Sequence, residues 1–187
     1  MEKKNIIAIV GMPGAGKSEA ASYLHEKGIP FIRFGQLTDE TVKDMGLPLT
    51  PQNERVAREK LRNELGMAAY AIKAKPKIKD MLATAHVVAL DGLYSWEEYV
   101  LLKDEFPELI LIHVYAEPSI RYARLAKRKI RPLTLEEARI RDVAELEKLN
   151  KGGPIAIADY MIENDTGDMT ELYHQIDELL ARLEIQL

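Results

Sequence analysis

Short apolar runs alternate along the chain with longer stretches in which apolar residues recur every three or four positions. The runs at 6–10, 30–34, 86–90, 109–115 and 160–163 are typical of strands buried in a parallel sheet. Helical patterns fill the intervals between them. Strands that alternate with helices predict parallel βαβ units, and therefore an α/β fold with a doubly wound, five-stranded parallel sheet.

Capping signals mark where several of the predicted helices begin. Ser95 and Glu98 form the pattern of a capping box, as do Thr134 and Glu137, because each hydroxyl can accept from a backbone N–H three residues later. The helix that begins near Thr134 is expected to end near the glycine pair at residues 152–153.

The length of 187 residues predicts a single domain with one sizeable core. The strand pattern assigns residues 1–34, 85–124 and 151–187 to that core. Two helical stretches, about 35–84 and about 125–150, are predicted to be additions to the sheet. Such additions would overhang the carboxyl ends of the strands, where open α/β sheets bind their ligands.

A glycine-rich loop follows the first predicted strand directly. Residues 11–18 read Gly-Met-Pro-Gly-Ala-Gly-Lys-Ser and satisfy every fixed position of the P-loop pattern. Backbone N–H groups of such a loop surround a phosphate, Lys17 reaches the terminal phosphates and Ser18 binds Mg²⁺. The alternative is a chance glycine-rich turn before a helix. The strand–loop–helix order favours binding of ATP or a similar nucleotide, with these candidate contacts: Gly11, Gly14, Ala15, Gly16, Lys17, Ser18 and Glu19.

Asp91 is the natural second part of this site. It follows four apolar residues at the end of the third predicted strand, where a carboxylate can hold Mg²⁺ or accept a proton from an attacking hydroxyl. The competing interpretation is an ordinary turn aspartate before glycine. A strand position beside the P-loop strand favours the functional interpretation.

Arginines are concentrated in two predicted helices. Arg121, Arg124, Arg128 and Arg131 recur at three- and four-residue steps, so they are expected to share a helical face and to neutralise a transferring phosphoryl group. The alternatives are a solvated or a nucleic-acid-binding face. In the 50–66 helix, Arg58 is expected to hold a substrate phosphate together with Arg62, four residues later, although an exposed helix rich in glutamate explains them equally well.

The composition excludes several other classes of protein. The formal charge of −4 gives no overall reason to expect nucleic acid or an anionic membrane as partner. Cysteine is absent, which excludes disulfides and thiolate catalysis, and the four histidines lack metal-ligand spacing. Without a bilayer-length apolar run or a signal-peptide pattern, the protein is expected to be cytoplasmic.

The chain resembles the P-loop kinases of nucleoside monophosphates and, more closely, dephospho-CoA-kinase-like P-loop proteins. The resemblance implies an arginine-bearing lid in which Arg124 and Arg128 contact ATP phosphates, with Arg141 as a further candidate. It also places the turn that begins at Asn164 beside the adenine. The matching segments cover nearly the whole chain in the expected order: 11–18, 56–58, 64–66, 90–92, 124–128, 141–142 and 158–164.

One departure from that family concerns the phosphate acceptor. Dephospho-CoA kinases carry an aspartate just after the second strand, whereas this chain has Gln36 there and its nearest carboxylate is Asp39. Glutamine cannot take a proton. Either Asp39 or Asp91 serves as the base, or the acceptor is already anionic, as a nucleoside monophosphate is.

Two functions remain from the sequence alone. The first is an ATP- and Mg²⁺-dependent phosphotransferase acting on a small phosphate-bearing acceptor. The second is a nucleotide-dependent switch or regulatory NTPase that acts through a protein partner. Two arginine-rich additions flanking one cleft favour the phosphotransferase, because a switch does not need them. The sequence specifies neither the acceptor nor the oligomeric state.

Overall fold

A five-stranded parallel sheet forms the centre of the protein, which the computed structural model describes for residues 4–185. Residues 1–3 and 186–187, which the predicted core includes, lie outside the described part. The strands are β1 (Asn5–Val10), β2 (Phe31–Arg33), β3 (Val87–Asp91), β4 (Leu109–Tyr115) and β5 (Tyr160–Glu163). They lie in the order β2-β3-β1-β4-β5, and all neighbouring pairs are parallel. The predicted fold class is confirmed.

Helices cover both faces of this sheet. Their bounds are α1 (Lys17–Glu26), α2 (Phe34–Asp44), α3 (Pro51–Leu65), α4 (Ala69–Leu82), α5 (Trp96–Glu105), α6 (Pro118–Ala126), α7 (Leu135–Leu149), α8 (Gly152–Ala156) and α9 (Met169–Arg182). One apolar cluster lies between the sheet and helices α2, α3, α4 and α5, and the other between the sheet and helices α1 and α9. In residues 4–185 we find no helix with the length and apolar character to cross a bilayer.

The central strand shows why its sequence is a continuous apolar run. Ile6, Ala8 and Val10 point into the first cluster, and Ile7 and Ile9 point into the second. Both faces are buried from Ile6 to Val10, so these five positions favour apolar side chains. β1 therefore ends between β3 and β4, and the loop that follows it opens at the centre of the sheet's carboxyl edge.

Helix α4, which belongs to the addition predicted at residues 35–84, packs on the sheet. Ala71, Ala74 and Ile78 of α4 are fully buried in the first cluster, and Pro76 is accommodated inside the helix. Helices α2 and α3 also contribute side chains to this cluster, among them Leu37 and Leu61. Helix α2 has no counterpart among the predicted elements. Its glycine, threonines and β-branched residues are weak helix formers, and tertiary packing of its apolar side outweighs that preference.

Two predicted helix boundaries are wrong. Helix α6 ends at Ala126, so Arg128 and Arg131 do not lie on its face as the arginine spacing suggested. Helix α7 ends before Asn150, whose left-handed conformation turns the chain. The glycine pair expected to end that helix instead begins α8. The capping boxes at the starts of α5 and α7 are both present.

Candidate functional site

The loop between β1 and α1 depends on glycine at two close approaches. A Cβ atom added to Gly11 would lie 2.4 Å from the carbonyl oxygen of Val114 in β4, and one added to Gly16 would lie 2.2 Å from Nδ2 of Asn164. Both glycines have positive φ, 147° and 105°. Atoms of β4 and of the segment after β5 therefore contact the outer side of the loop. Its inner side lies at the N-terminus of α1, which favours anions.

Asn164, the first residue of the turn expected beside the adenine, supports the loop with its amide nitrogen. Its Nδ2 donates to the carbonyl of Ala15 at 2.8 Å. The backbone carbonyl of Asn164 accepts from Nη2 of Arg124 at 2.6 Å, and Nη1 of Arg124 reaches the carbonyl of Gly14 at 3.4 Å. The Oδ1 atom is buried and has no hydrogen-bond partner among the described residues. The first residue after β5 thus joins the loop to the arginine of α6.

Arg121 does not belong to a solvent-facing or phosphate-facing row. Its guanidinium is buried and forms two hydrogen bonds to Asp142 of α7, at 3.0 and 2.6 Å. It also donates to the carbonyls of Pro13 in the loop, at 3.0 Å, and of Ala116, at 3.2 Å. The Arg121–Asp142 ion pair joins α7 to the P-loop. Arg121 is therefore structural, although its spacing in the sequence predicted a place on a shared arginine face.

Lys17 lies where the loop meets α1 and donates to the carbonyl of Met12 at 3.0 Å. Enclosure by the protein lowers the pKa of its ammonium group to about 7, and the nearby positive charge of Lys151 adds to this effect. Glu145 and Asp91 act in the opposite direction and are weaker than these two causes. The loop therefore holds a lysine whose charged form is poorly stabilised until an anion arrives.

Asp91 is the last residue of β3 and pairs in register with Ile9 of β1. The Ser18 hydroxyl donates to its Oδ2 atom at 3.4 Å, and burial raises the pKa of the carboxyl. A hydroxyl and a carboxylate oxygen are hard donors that fit Mg²⁺. The described residues contain no cluster of three or more His, Cys, Asp or Glu side chains able to hold a metal. A Mg²⁺ ion here would therefore complete its shell with water and phosphate oxygens.

A cavity of about 290 Å³ opens over the loop. Arg128 reaches it from beyond the end of α6, and Arg124 reaches it from within α6. The predicted phosphate-contacting arginines thus both line it, although only one of them is helical. Its lining residues are Gly14, Gly16, Lys17, Ser18, Glu19, Arg124, Arg128, Asn164, Gly167 and Met169.

A second and larger cavity, of about 630 Å³, lies beneath α2, α3 and α7. Five arginines line it, together with three carboxylates, so the cavity is positive overall. The arginines are Arg33, Arg58, Arg62, Arg131 and Arg141, and the carboxylates are Asp39, Glu54 and Glu145. Arg58 and Asp39, predicted on the acceptor side, and Arg141, a candidate phosphate contact of the lid, are therefore brought together from three helices.

The arginines of this cavity differ in how well they are paired. Arg33 lies 3.4 Å from Asp39, and Arg58 and Arg131 share Glu54 at 3.6 and 3.3 Å. Arg62 instead lies over the ring of Tyr70, with its guanidinium carbon 5.7 Å from the ring centroid. Its Nε is buried without a hydrogen-bond partner in the described part of the chain. A buried, unsatisfied donor of this kind fits an anionic ligand in the cavity.

Not every predicted residue lies in the cavity. Gln36 is exposed on α2, where its amide donates to Glu40 at 3.4 Å, so the structure does not bring it to the acceptor side. Arg55 also points outward and pairs with Glu59 at 2.8 Å. The description of α3 as an exposed helix rich in glutamate thus fits Arg55, whereas Arg58 lies on the cavity side.

The structure adds Lys151, which the sequence did not indicate. Its side chain is only 2% exposed, its ammonium group bonds to Glu145, and it lies 5.4 Å from the ring centroid of Tyr94. A lysine before two glycines is typical of a surface turn, so no sequence signal pointed to burial. The Lys151–Glu145 pair lies between α7 and the P-loop lysine.

Charges of the two cavities act on one another. Arg33 of the second cavity helps to stabilise the charged form of Asp91, although burial has the larger effect and raises its pKa. Burial lowers the pKa of Arg128 at the loop cavity, and Arg141 of the second cavity lowers it further. Lys17 and Asp91 therefore lie within electrostatic range of charged residues of the second cavity.

The chain is similar in sequence to known proteins over most of its length. A protein-family model described as an AAA domain matches residues 7–160. A UPF0200 protein of Thermococcus sibiricus is 37% identical over 185 residues, which cover 97% of this chain and 96% of the relative. A UPF0200 protein of Methanoculleus marisnigri is 38% identical over 181 residues, covering 95% and 96%.

Solved structures with the same fold include kinases of small molecules. TT1252 from Thermus thermophilus matches with a TM-score of 0.64 and 22% identity over 97% of this chain and 98% of that one. Shikimate kinase from Bacteroides thetaiotaomicron matches with a TM-score of 0.61 and 16% identity over 95% of this chain and 98% of that one. A gluconokinase from Sinorhizobium meliloti matches with a TM-score of 0.55 and 18% identity over 100% of this chain and 99% of that one. At these identities the similarity establishes a P-loop kinase-like fold.

Proposed function

The chain belongs to the UPF0200 family, and we propose that it is a phosphotransferase that moves the γ-phosphoryl group of ATP to a small phosphate-bearing acceptor. The observation that carries this proposal is the cavity with five arginines, whose Arg141 and Glu145 lie close enough to the P-loop to shift the pKa of Lys17. A nucleotide-binding loop alone is common to many functions. A separate positive cavity beside it supplies the place for a second anionic substrate.

On the donor side, the loop holds the triphosphate with its backbone N–H groups and Lys17. Ser18 and Asp91 hold Mg²⁺, which when bound neutralises phosphate charge. Arg124 and Arg128 line the same cavity. Their guanidinium groups stabilise the negative charge that spreads over the phosphoryl group during transfer. Planar guanidinium groups suit this task because they bond two phosphate oxygens at once.

On the acceptor side, the chemistry of the second cavity selects a multiply charged anion. Its volume of about 630 Å³ lies within the range of small-molecule sites, and five guanidinium groups face only three carboxylates. Arg62 holds the acceptor phosphate because its Nε is buried without a partner. Arg58 assists it from the preceding turn of α3.

A nucleotide-dependent switch is the competing function. It would use the loop and Asp91 in the same way, and its output would be a conformational change read by a partner. It does not require a second cavity in which arginines outnumber carboxylates. The kinase names of the structural neighbours agree with the phosphotransferase proposal at the level of fold.

The test is acceptor-dependent formation of ADP. The protein is incubated with ATP and Mg²⁺ and, one at a time, with nucleoside monophosphates and dephospho-CoA. We expect ADP to form much faster with one acceptor class than without it. With that acceptor, Arg62→Met should raise KM roughly tenfold to a hundredfold, since a hydrogen bond between charged groups is lost, and leave the ATP dissociation constant unchanged.

Arg55→Met is the matched control, because Arg55 lies on the same helix and points away from the cavity. It should behave like the parent protein. ADP formation that no acceptor accelerates would contradict the proposal. An Arg62→Met variant indistinguishable from the control would remove the assignment of the cavity.

A further inference from the structure

Helix α7 carries an apolar stripe on the side that faces away from the site. Ile140, Val143 and Leu146 are 62%, 50% and 46% exposed and follow one another at three-residue steps. The opposite side of α7 is the one that carries Arg141 and Glu145 to the arginine cavity. Nothing in the proposed function requires the apolar side, and three exposed aliphatic residues in one row are typical of an interaction surface.

The stripe continues onto neighbouring helices. Leu146 lies against Gly152 at the start of α8, where an added Cβ would be 3.5 Å from its Cδ2 atom. The ring of Trp96 lies against Gly153, at 2.6 Å from such an atom. We use the name α7 surface for six exposed apolar residues: Trp96 and Val100 of α5, Ile140, Val143 and Leu146 of α7, and Ile157 directly after α8.

The charges beside the stripe identify the partner. Arg139 lies four residues before Val143 and Glu147 lies four residues after it, and both are exposed on the same side of α7. When two α7 helices pack antiparallel with their Val143 residues at the two-fold axis, each Arg139 faces the Glu147 of the other copy. The same operation places each Ile140 opposite the other Leu146.

We propose that the α7 surface joins two copies of this chain in a symmetric dimer with antiparallel α7 helices. The surface is complementary to itself in both apolar pattern and charge, which is what a two-fold interface requires. A parallel arrangement would place Arg139 against Arg139 and Glu147 against Glu147. Because the other side of α7 lines the arginine cavity, the dimer places the two sites on either side of the paired helices.

The first experiment measures mass in solution by sedimentation equilibrium across a dilution series. We expect the parent chain to be a dimer and Val143→Asp to be a monomer, because two carboxylates would meet at the axis. Val56→Asp is the matched control. Val56 is 41% exposed on α3, a helix of the same 15-residue length, and lies outside the α7 surface. A parent that stays monomeric at its highest soluble concentration overturns the proposal, as does a Val143→Asp variant that still dimerises.

The second experiment exchanges the charges. Arg139→Glu and Glu147→Arg should each weaken self-association by roughly tenfold or more, since each creates two like-charge pairs across the axis. Mixed together, the two variants should form a heterodimer, because every glutamate of one then faces an arginine of the other. Circular dichroism checks that each variant is folded. Variants that associate as well alone as when mixed would show that these residues do not face each other.

Discussion

The protonation of Lys17 makes nucleotide binding depend on pH in a predictable direction. Enclosure in the loop, assisted by the charge of Lys151, lowers the pKa of its ammonium group to about 7 in the ligand-free protein. A bound triphosphate favours the charged form strongly. Above that pH, binding must therefore bring a proton with it, and the affinity for ATP should fall as the pH rises.

The magnitude follows from the same pKa. The charged form is fully present well below pH 7 and is lost as the pH rises through that value. If only the charged form binds, each further pH unit weakens affinity about tenfold, so about pH 9 corresponds to roughly a hundredfold, or about 2.7 kcal/mol. The phosphates of ATP are already fully ionised in this range, because the last phosphate proton dissociates at about pH 6.

Isothermal titration calorimetry in buffers of different ionisation enthalpy measures both the affinity and the proton uptake. We expect uptake to approach one proton per site at high pH. Lys151→Met removes one cause of the lowered pKa and should move the fall in affinity to higher pH. Lys60→Met, which removes a surface lysine paired with Glu64, should leave it in place. Constant affinity between neutral and high pH, with no uptake, would refute the reasoning.

Two further predictions concern the loop and its arginines. Gly16→Ala should destabilise the fold and abolish ATP binding, because its Cβ would lie 2.2 Å from a buried amide nitrogen. Gly46→Ala shares a positive φ but meets nothing within 4 Å, so thermal unfolding and ATP titration should show only the roughly 1 kcal/mol cost of the backbone conformation. Arg124→Lys and Arg128→Lys should each reduce kcat roughly tenfold to a thousandfold with a smaller change in ATP affinity, measured with the acceptor that the panel identifies. Full rates in both variants would show that neither arginine takes part in phosphoryl transfer.

The parts of the structure that depend on local pattern could be predicted from the sequence. A segment buried on both faces of a sheet must be apolar, and β1 is apolar from Ile6 to Val10. The P-loop pattern specifies its own position between a strand and a helix. Asp91 could be placed beside the loop because parallel strands end at one edge of a sheet. Each of these inferences uses residues close in sequence or a general rule of topology.

The parts that depend on long-range contacts could not be predicted. Spacing alone could not show that Arg121 turns inward to Asp142, because a salt bridge across 21 positions leaves no periodic signal. Lys151 is buried because Glu145 and Tyr94 lie nearby in space, and its own neighbours in sequence suggest a surface turn. In each case the partner of the charged residue lies in another element, so the local sequence does not identify it.

The choice between a hydroxyl and a phosphate acceptor depends on what the two nearby carboxylates are free to do. Asp91 is hydrogen-bonded to Ser18, so its natural role is on the donor side with Mg²⁺. Asp39 lies in the arginine cavity, where its carboxylate is paired with Arg33 at 3.4 Å. A hydroxyl acceptor would need one of these groups as base, and the other groups facing it would be mostly arginines. A phosphate acceptor needs no base and is held by the same arginines, so the cavity favours an acceptor that arrives already ionised.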